Sequence, residues 1–135
     1  MTTKSSGFTL IELLVVVAIL GIISAIGIVS YSGYTTSAKR KAAENGMMQI
    51  SLGQTEYYSD KGAYYSSGCP PTNDTTNDVE KELLGNADVF PEDTYWVCVE
   101  VSGNDFTVKA EEAVASADKC KINMNKSGTF TRTDC

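Results

Sequence analysis

"SSGFTLIELLVVVAILGIISAIG", Ser5–Gly27, places a single carboxylate, Glu12, inside an otherwise apolar run. From Leu13 to Ala38 no residue is charged. Roughly 20 helical residues suffice to cross a bilayer, so this segment is long enough to span one. A carboxylate at the centre of such a helix costs about 2.5–3.5 kcal/mol on insertion scales, and less near an end, where Glu12 sits. A cleaved secretory signal has a shorter apolar core and ends in an A-x-A-like site, which does not follow here. The best cleavage candidate instead precedes the run, at Gly7, and a cut there leaves the apolar helix on the mature chain. Phe8 would then carry a new α-amino group, one helical turn before Glu12. Glu12 has two readings: it snorkels to the membrane interface, or it pairs with the Phe8 amine of a neighbouring helix. A pair of that kind neutralises both charges in an apolar core and fixes axial register.

The rest of the chain is different in kind. From Ala42 to Cys135 there are 7 Lys+Arg against 16 Asp+Glu, a net charge of −9. Such a field repels phosphate backbones and anionic lipid, so no nucleic-acid partner is expected. The chain has no histidine, and its four cysteines, at 69, 98, 120 and 135, contain no CxxC pair. These spacings do not suit zinc, and an even cysteine count in a small acidic head reads as two disulfides in an oxidising compartment. The flanking charges point the other way. Lys39, Arg40 and Lys41 outnumber Lys4, which on a simple count would keep the head cytoplasmic. The cysteines bear on the head's compartment directly and are given more weight.

Past the basic cluster, Ala43, Met47, Ile50, Gln54 and Tyr57 recur at helical spacing, giving a stripe that can lie on a sheet. Gly62 and Gly68 mark the end of this helix. Residues 60–92 read as a long polar loop around "CPPTNDTTND", with a short helix at "VEKELLGN". "TYWVCVEV" then alternates, with Tyr95, Val97, Val99 and Val101 on one face and Trp96, Cys98 and Glu100 on the other. "DFTVKA" supplies an antiparallel partner after the "SGND" turn, and "CKINMN" with "GTFTRT" reads as a second hairpin. The fold class expected is α+β, a long N-terminal helix packed on a small antiparallel sheet.

"GFTLIELLVVVAILGIISAIGI" resembles the N-terminal signature of type IV pilins and of the related pseudopilins of type II secretion. The likeness is close from Gly7 to about Tyr34 and extends to the head in layout only. It implies a leader at 1–7, cleavage by prepilin peptidase between Gly7 and Phe8, and N-methylation of Phe8. It also implies that Glu12 is the acidic residue of subunit registration. Residues 8–34 would form the membrane anchor and filament core, and 35–135 the head, with a helix at 35–59, the loop at 60–92 and the sheet and disulfide region at 93–135. Many pilins carry a proline where this chain has Val29, and in the family it accompanies local unwinding. Gly21 and Gly27 can weaken the helix instead, at about 1 kcal/mol each relative to alanine, or can serve close helix packing. Four cysteines allow three pairings. Cys69–Cys98 and Cys120–Cys135 are favoured: the second resembles the family's disulfide-bounded C-terminal region, and the first would pin the polar loop to the outer sheet face.

Other chemistry is weak. "TNDTTND" and "NMN" lack the spacing of a calcium loop and read as solvated turns. Asn73 and Asn125 fit a glycosylation pattern that arises often by chance. No nucleophile with a base is visible, so neither an enzyme nor a cofactor is expected. The resemblance implies a homopolymer of a major pilin for attachment, adhesion or motility. The subunit would be held in the inner membrane with a periplasmic head, then lifted by the pilus assembly machinery into an extracellular filament. The alternatives are a pseudopilin and a minor or DNA-uptake pilin. As the resemblance implies, major pseudopilins typically carry a calcium site and lack the C-terminal disulfide, so Cys120 and Cys135 favour a pilin. A local stripe of Lys119, Lys121, Lys126 and Arg132 is the one feature that would suit DNA.

Overall fold

The computed structural model describes Lys4 and residues 6–135. The expected leader, 1–7, therefore lies largely outside the described residues. Two compact units are present, one ending at Ala38 and one covering Lys39–Cys135. A single helix, α1 (Leu10–Lys61), contributes to both.

In the first unit α1 exposes almost all of its apolar side chains, including Leu13, Leu14, Ile19, Leu20, Ile23 and Ile28. Four of its hydroxyls bond back onto the helix, the Ser32 hydroxyl to Val29 O at 3.1 Å among them. Ser24 donates to the Leu20 carbonyl at 2.6 Å, Thr35 to Tyr31 at 2.8 Å and Thr36 to Ser32 at 3.1 Å. A hydroxyl bonded back onto its own helix does not require water, which suits an apolar surrounding. This is the one described helix long and apolar enough to cross a membrane.

The second unit is built on the remainder of α1 and a four-stranded antiparallel sheet in the order β1 (Tyr95–Ser102), β2 (Asp105–Glu112), β3 (Lys121–Asn125), β4 (Phe130–Thr133). Alternation does here what period-2 sequence demands. Tyr95, Val97, Val99, Phe106, Val108, Ala110, Ile122 and Met124 share the inner face and are buried with Ala43, Met47 and Ile50 of α1. Cross-strand partners such as Val99–Val108 and Ala110–Ile122 keep that face in register. Two helical glycines let other elements approach α1. A Cβ on Gly53 would collide with the Leu83 carbonyl oxygen, and one on Gly46 would lie 2.5 Å from the Phe90 ring.

Two expectations need correction. The stretch 60–92 is not all loop, because α2 occupies Asn73–Leu83, six residues before the expected "VEKELLGN" start. "TNDTTND" is thus the first half of a helix rather than a solvated turn. Its polar composition hides a capping box: the Thr72 hydroxyl accepts from Thr75 N–H while the Thr75 hydroxyl accepts from Thr72 N–H. That reciprocal pair satisfies two end donors and starts the helix, and Val79 and Leu83 then bury its inner face. The head part of α1 also runs to Lys61 rather than 59.

The open edge of β1 is closed by side chains. Thr76 Oγ1 accepts from Val97 N–H at 2.9 Å, Thr75 Oγ1 donates to Val97 O, and Ser67 Oγ accepts from Val99 N–H. The buried Gln54 amide donates to Tyr65 O at 2.6 Å and accepts from Tyr65 N–H at 2.8 Å, imitating one rung of a β-ladder. These contacts hold residues 65–76 against β1 and α1 without a further strand.

Candidate assembly site

The N-terminal end of α1 explains why Glu12 is tolerated there. Thr9 N–H donates to Glu12 Oε2 at 2.8 Å, and Glu12 N–H donates to Thr9 Oγ1 at 3.3 Å. With α1 beginning at Leu10, Thr9 is the N-cap and Glu12 the third helical residue, the two halves of a capping box. The carboxylate thus covers unpaired helix donors and faces the positive end of the helix dipole. T-x-x-E before an apolar run is a readable signature, and the role of Thr9 was missed by a reading that attended only to charge. Phe8 is 90% exposed. With Ile11, Glu12, Val15 and Val16 it lines a shallow, mainly apolar groove. The arrangement presents one carboxylate, already oriented, on a surface that is otherwise hydrocarbon.

The other sequence-derived residues fall as follows. Gly7 has open space around it, as do Gly21 and Gly27, which sit in unbroken helix. Disulfides join Cys69 to Cys98 and Cys120 to Cys135. Cys98 lies on the outer face of β1, where the bridge covers it. The second bridge ties the start of β3 to the residues after β4.

Two of the four residues of the basic stripe are paired with acids. Lys119 pairs with Glu111 at 2.6 Å, and Arg132 pairs with Glu44, which also takes Lys41 at 3.1 Å. The Arg132 hydrogen bond holds the Glu44 carboxyl below its usual range, against the opposing effect of burial, and the same pairing raises Arg132. Glu44 is a buried carboxylate joining α1 to β4, and sequence alone does not single it out. Lys126 lies over the Tyr64 ring and donates to Asn104 O at 2.9 Å. Among the described residues, no group of three or more acidic or cysteine side chains is placed to hold a metal.

A second buried acid is Glu80 of α2. Its Oε1 accepts from Val89 N–H at 2.7 Å and Phe90 N–H at 2.8 Å, which fixes the loop that delivers Phe90 to the core.

A capped apolar helix continuing into an α+β head with two disulfides defines the pilin class of structure. The chain belongs to the type IV pilins, in the family described as "Type IV minor pilin ComP, DNA uptake sequence receptor", whose profile matches residues 29–124. The prokaryotic N-terminal methylation motif matches residues 2–28. A fimbrial protein of Neisseria meningitidis serogroup A is 32% identical over 93 residues, 66% of this chain and 52% of that protein. The fimbrial protein EcpC of Eikenella corrodens is 43% identical over 62 residues, 43% of this chain and 38% of its own length. The type IV major pilin protein PilA of Myxococcus xanthus is 36% identical over 61 residues, 45% and 28% of the two chains. The matched region spans about half, or less, of these relatives. No solved structure matches.

Proposed function

We propose that this chain is a structural, non-catalytic subunit of a type IV pilus filament that polymerises through its N-terminal helix. Prepilin peptidase cuts between Gly7 and Phe8, and Phe8 is N-methylated. The apolar helix holds the subunit in the inner membrane, head in the periplasm, until the assembly machinery transfers it to the extracellular fibre. The observation that carries this reading is the Thr9–Glu12 capping box at the mouth of an exposed apolar helix. Burying that surface against like helices replaces one hydrocarbon surrounding with another, so the transfer itself costs little. The amine of Phe8 on a neighbour supplies the charge partner for Glu12, and only one axial register brings them together. Gly21 and Gly27 give the helix local freedom within the polymer.

The test is Glu12→Ala. Cleavage at Gly7 should persist while filament yield falls sharply; normal fibres made solely of that variant would remove the register role.

The description of the matched family favours a second reading, a minor pilin that takes up DNA. Against it stand the head's charge of −9 and the pairing of Lys119 and Arg132, which leaves Lys121 and Lys126 as the stripe's contribution. A filament-bound affinity for duplex DNA that falls steeply with salt would support this second reading. A homopolymer used for adhesion or motility is the reading that the charge pattern favours.

A further inference from the structure

Two hairpin turns at one end of the sheet have no part in the filament reading. The turn after β1 brings Asn104 and Asp105, the turn after β3 brings Asn125, Lys126 and Ser127, and the five line one open depression. Each turn contains a glycine at positive φ, Gly103 at 60° and Gly128 at 81°, a conformation that a side chain resists. The turns are also bonded to each other and to their own backbones. Lys126 Nζ donates to Asn104 O at 2.9 Å. Asp105 Oδ1 accepts from Phe106 N–H at 2.8 Å. Asn125 Oδ1 accepts from the Ser127 hydroxyl at 2.8 Å and from Thr129 N–H at 2.9 Å. The five residues are exposed, yet the frame that carries them is fixed.

Those bonds leave a defined remainder. Among the described residues Asp105 Oδ2, Asn125 Nδ2 and both polar atoms of the Asn104 side chain have no partner. The depression therefore offers a free carboxylate oxygen as acceptor and two free amides as donors. Its one carboxylate, Asp105, balances its one ammonium, Lys126. An aromatic step stands beside it. Lys126 lies over the Tyr64 ring at 4.9 Å, and Tyr64 packs on the buried Phe106 at 4.9 Å and on Tyr58 at 4.7 Å. Tyr58 is 39% exposed. This combination narrows the ligand. An anion finds no surplus cation here, in a head of net charge −9, and a divalent cation finds a single carboxylate. A hydroxyl both donates and accepts, so adjacent hydroxyls on one ring can satisfy the carboxylate and the amides together. The C–H face of the same ring then has an aromatic surface to lie against.

We propose that the depression between the two hairpin turns binds a neutral saccharide, with Asp105 accepting from, and Asn104 and Asn125 donating to, adjacent ring hydroxyls, and Tyr58 covering an apolar ring face. The free groups are held by turns on a rigid sheet, so little ordering is needed when the ligand arrives. The inference goes beyond the filament reading and does not depend on it.

The test is a magnetic-resonance titration of the isotope-labelled full chain in a phosphocholine detergent, which carries no sugar headgroup. The probes are the methyl glycosides of mannose, galactose and N-acetylglucosamine. A ligand of roughly a dozen heavy atoms on one open site binds with a Kd on the order of 1 mM. At least one glycoside should move the side-chain amide signals of Asn104 and Asn125 saturably, and added salt should leave the affinity unchanged. Asn104→Ala removes a side chain that bonds nothing in the free chain, so it should keep the melting midpoint and weaken binding about tenfold. Asp105→Asn retains Oδ1 for Phe106 N–H but loses the charge, and should weaken binding to a similar extent. No movement of those signals with any of the three glycosides at about 100 mM, two decades above the expected Kd, would overturn the site. So would movement that survives both substitutions. Signals there that respond only to a duplex oligonucleotide, and less as salt rises, would overturn the saccharide as ligand. The chain is tested outside any fibre, so failure here leaves the filament reading in place.

Discussion

Replacing Glu80 by alanine should free the loop that carries Phe90 into the head's core. Its Oε1 is the acceptor for two consecutive backbone donors, Val89 N–H and Phe90 N–H. The carboxylate is 8% exposed and the Phe90 side chain 3% exposed, so water cannot fully replace the lost acceptor. Hydrogen bonds to a charged group contribute about 1.5–3 kcal/mol each. Val89 is only half-buried, and solvent recovers part of its bond. The expected cost of Glu80→Ala is therefore about 3 kcal/mol, and that of Glu80→Gln, which keeps an oxygen but not the charge, about 1 kcal/mol. For a unit of this size 1 kcal/mol corresponds to about 4–8 °C, so the alanine variant should melt at least about 12 °C lower. Thermal unfolding of the detergent-solubilised chain, followed through Trp96 fluorescence, reads the midpoint. Hydrogen exchange at Val89 and Phe90 reads the loop itself, and protection at both should be lost in the alanine variant before global unfolding. A midpoint within about 3 °C of wild type, below what 1 kcal/mol would produce, would refute the reasoning. So would a glutamine variant as damaged as alanine.

Gly53→Ala gains up to about 1 kcal/mol of helix propensity, but its methyl meets the Leu83 backbone, and overpacking costs about 1–3 kcal/mol; a lowered melting midpoint is expected. Gly27→Ala, with nothing within 4 Å, should leave that midpoint unchanged. Glu44 titrates below its ordinary 4.5 in the folded head. Its contribution to stability is complete above that ordinary value and is lost as pH falls through the lower folded one. Acid titration of the melting midpoint should show wild type losing more stability than Glu44→Gln across that window, and parallel curves would contradict the assignment.

How much of this was legible depended on whether the signal was local. β1 and β2 alternate cleanly because one face meets the core and the other does not, and the stripe Ala43–Met47–Ile50–Gln54 follows the helical period for the same reason. α2 was only partly legible, because Asn73–Asp78 carries no apolar period; a threonine box starts the helix, and Val79 and Leu83 are its buried apolar residues. Glu44 and Glu80 are ordinary acids in sequence. Their burial depends on Arg132, 88 residues away in the chain, and on backbone amides of a loop. Gly46 and Gly53 lie seven residues apart, two helical turns, and so on nearly one face, a pattern that could have marked a close approach. The stripe Lys119–Arg132 looked like a cationic surface because its acidic partners, Glu111 and Glu44, come from other elements. At the N-terminus the charge of Glu12 drew attention, whereas the T-x-x-E spacing that holds it was equally plain.

The central claim is that the processed chain is a building block of the fibre. Intact mass spectrometry of filaments sheared from the cell surface, with and without reduction, tests it most directly. The account predicts abundant protein that begins at methylated Phe8 and gains four mass units on reduction, two for each disulfide. Processed protein confined to the membrane fraction, or a chain in the fibre still beginning before Phe8, would contradict it.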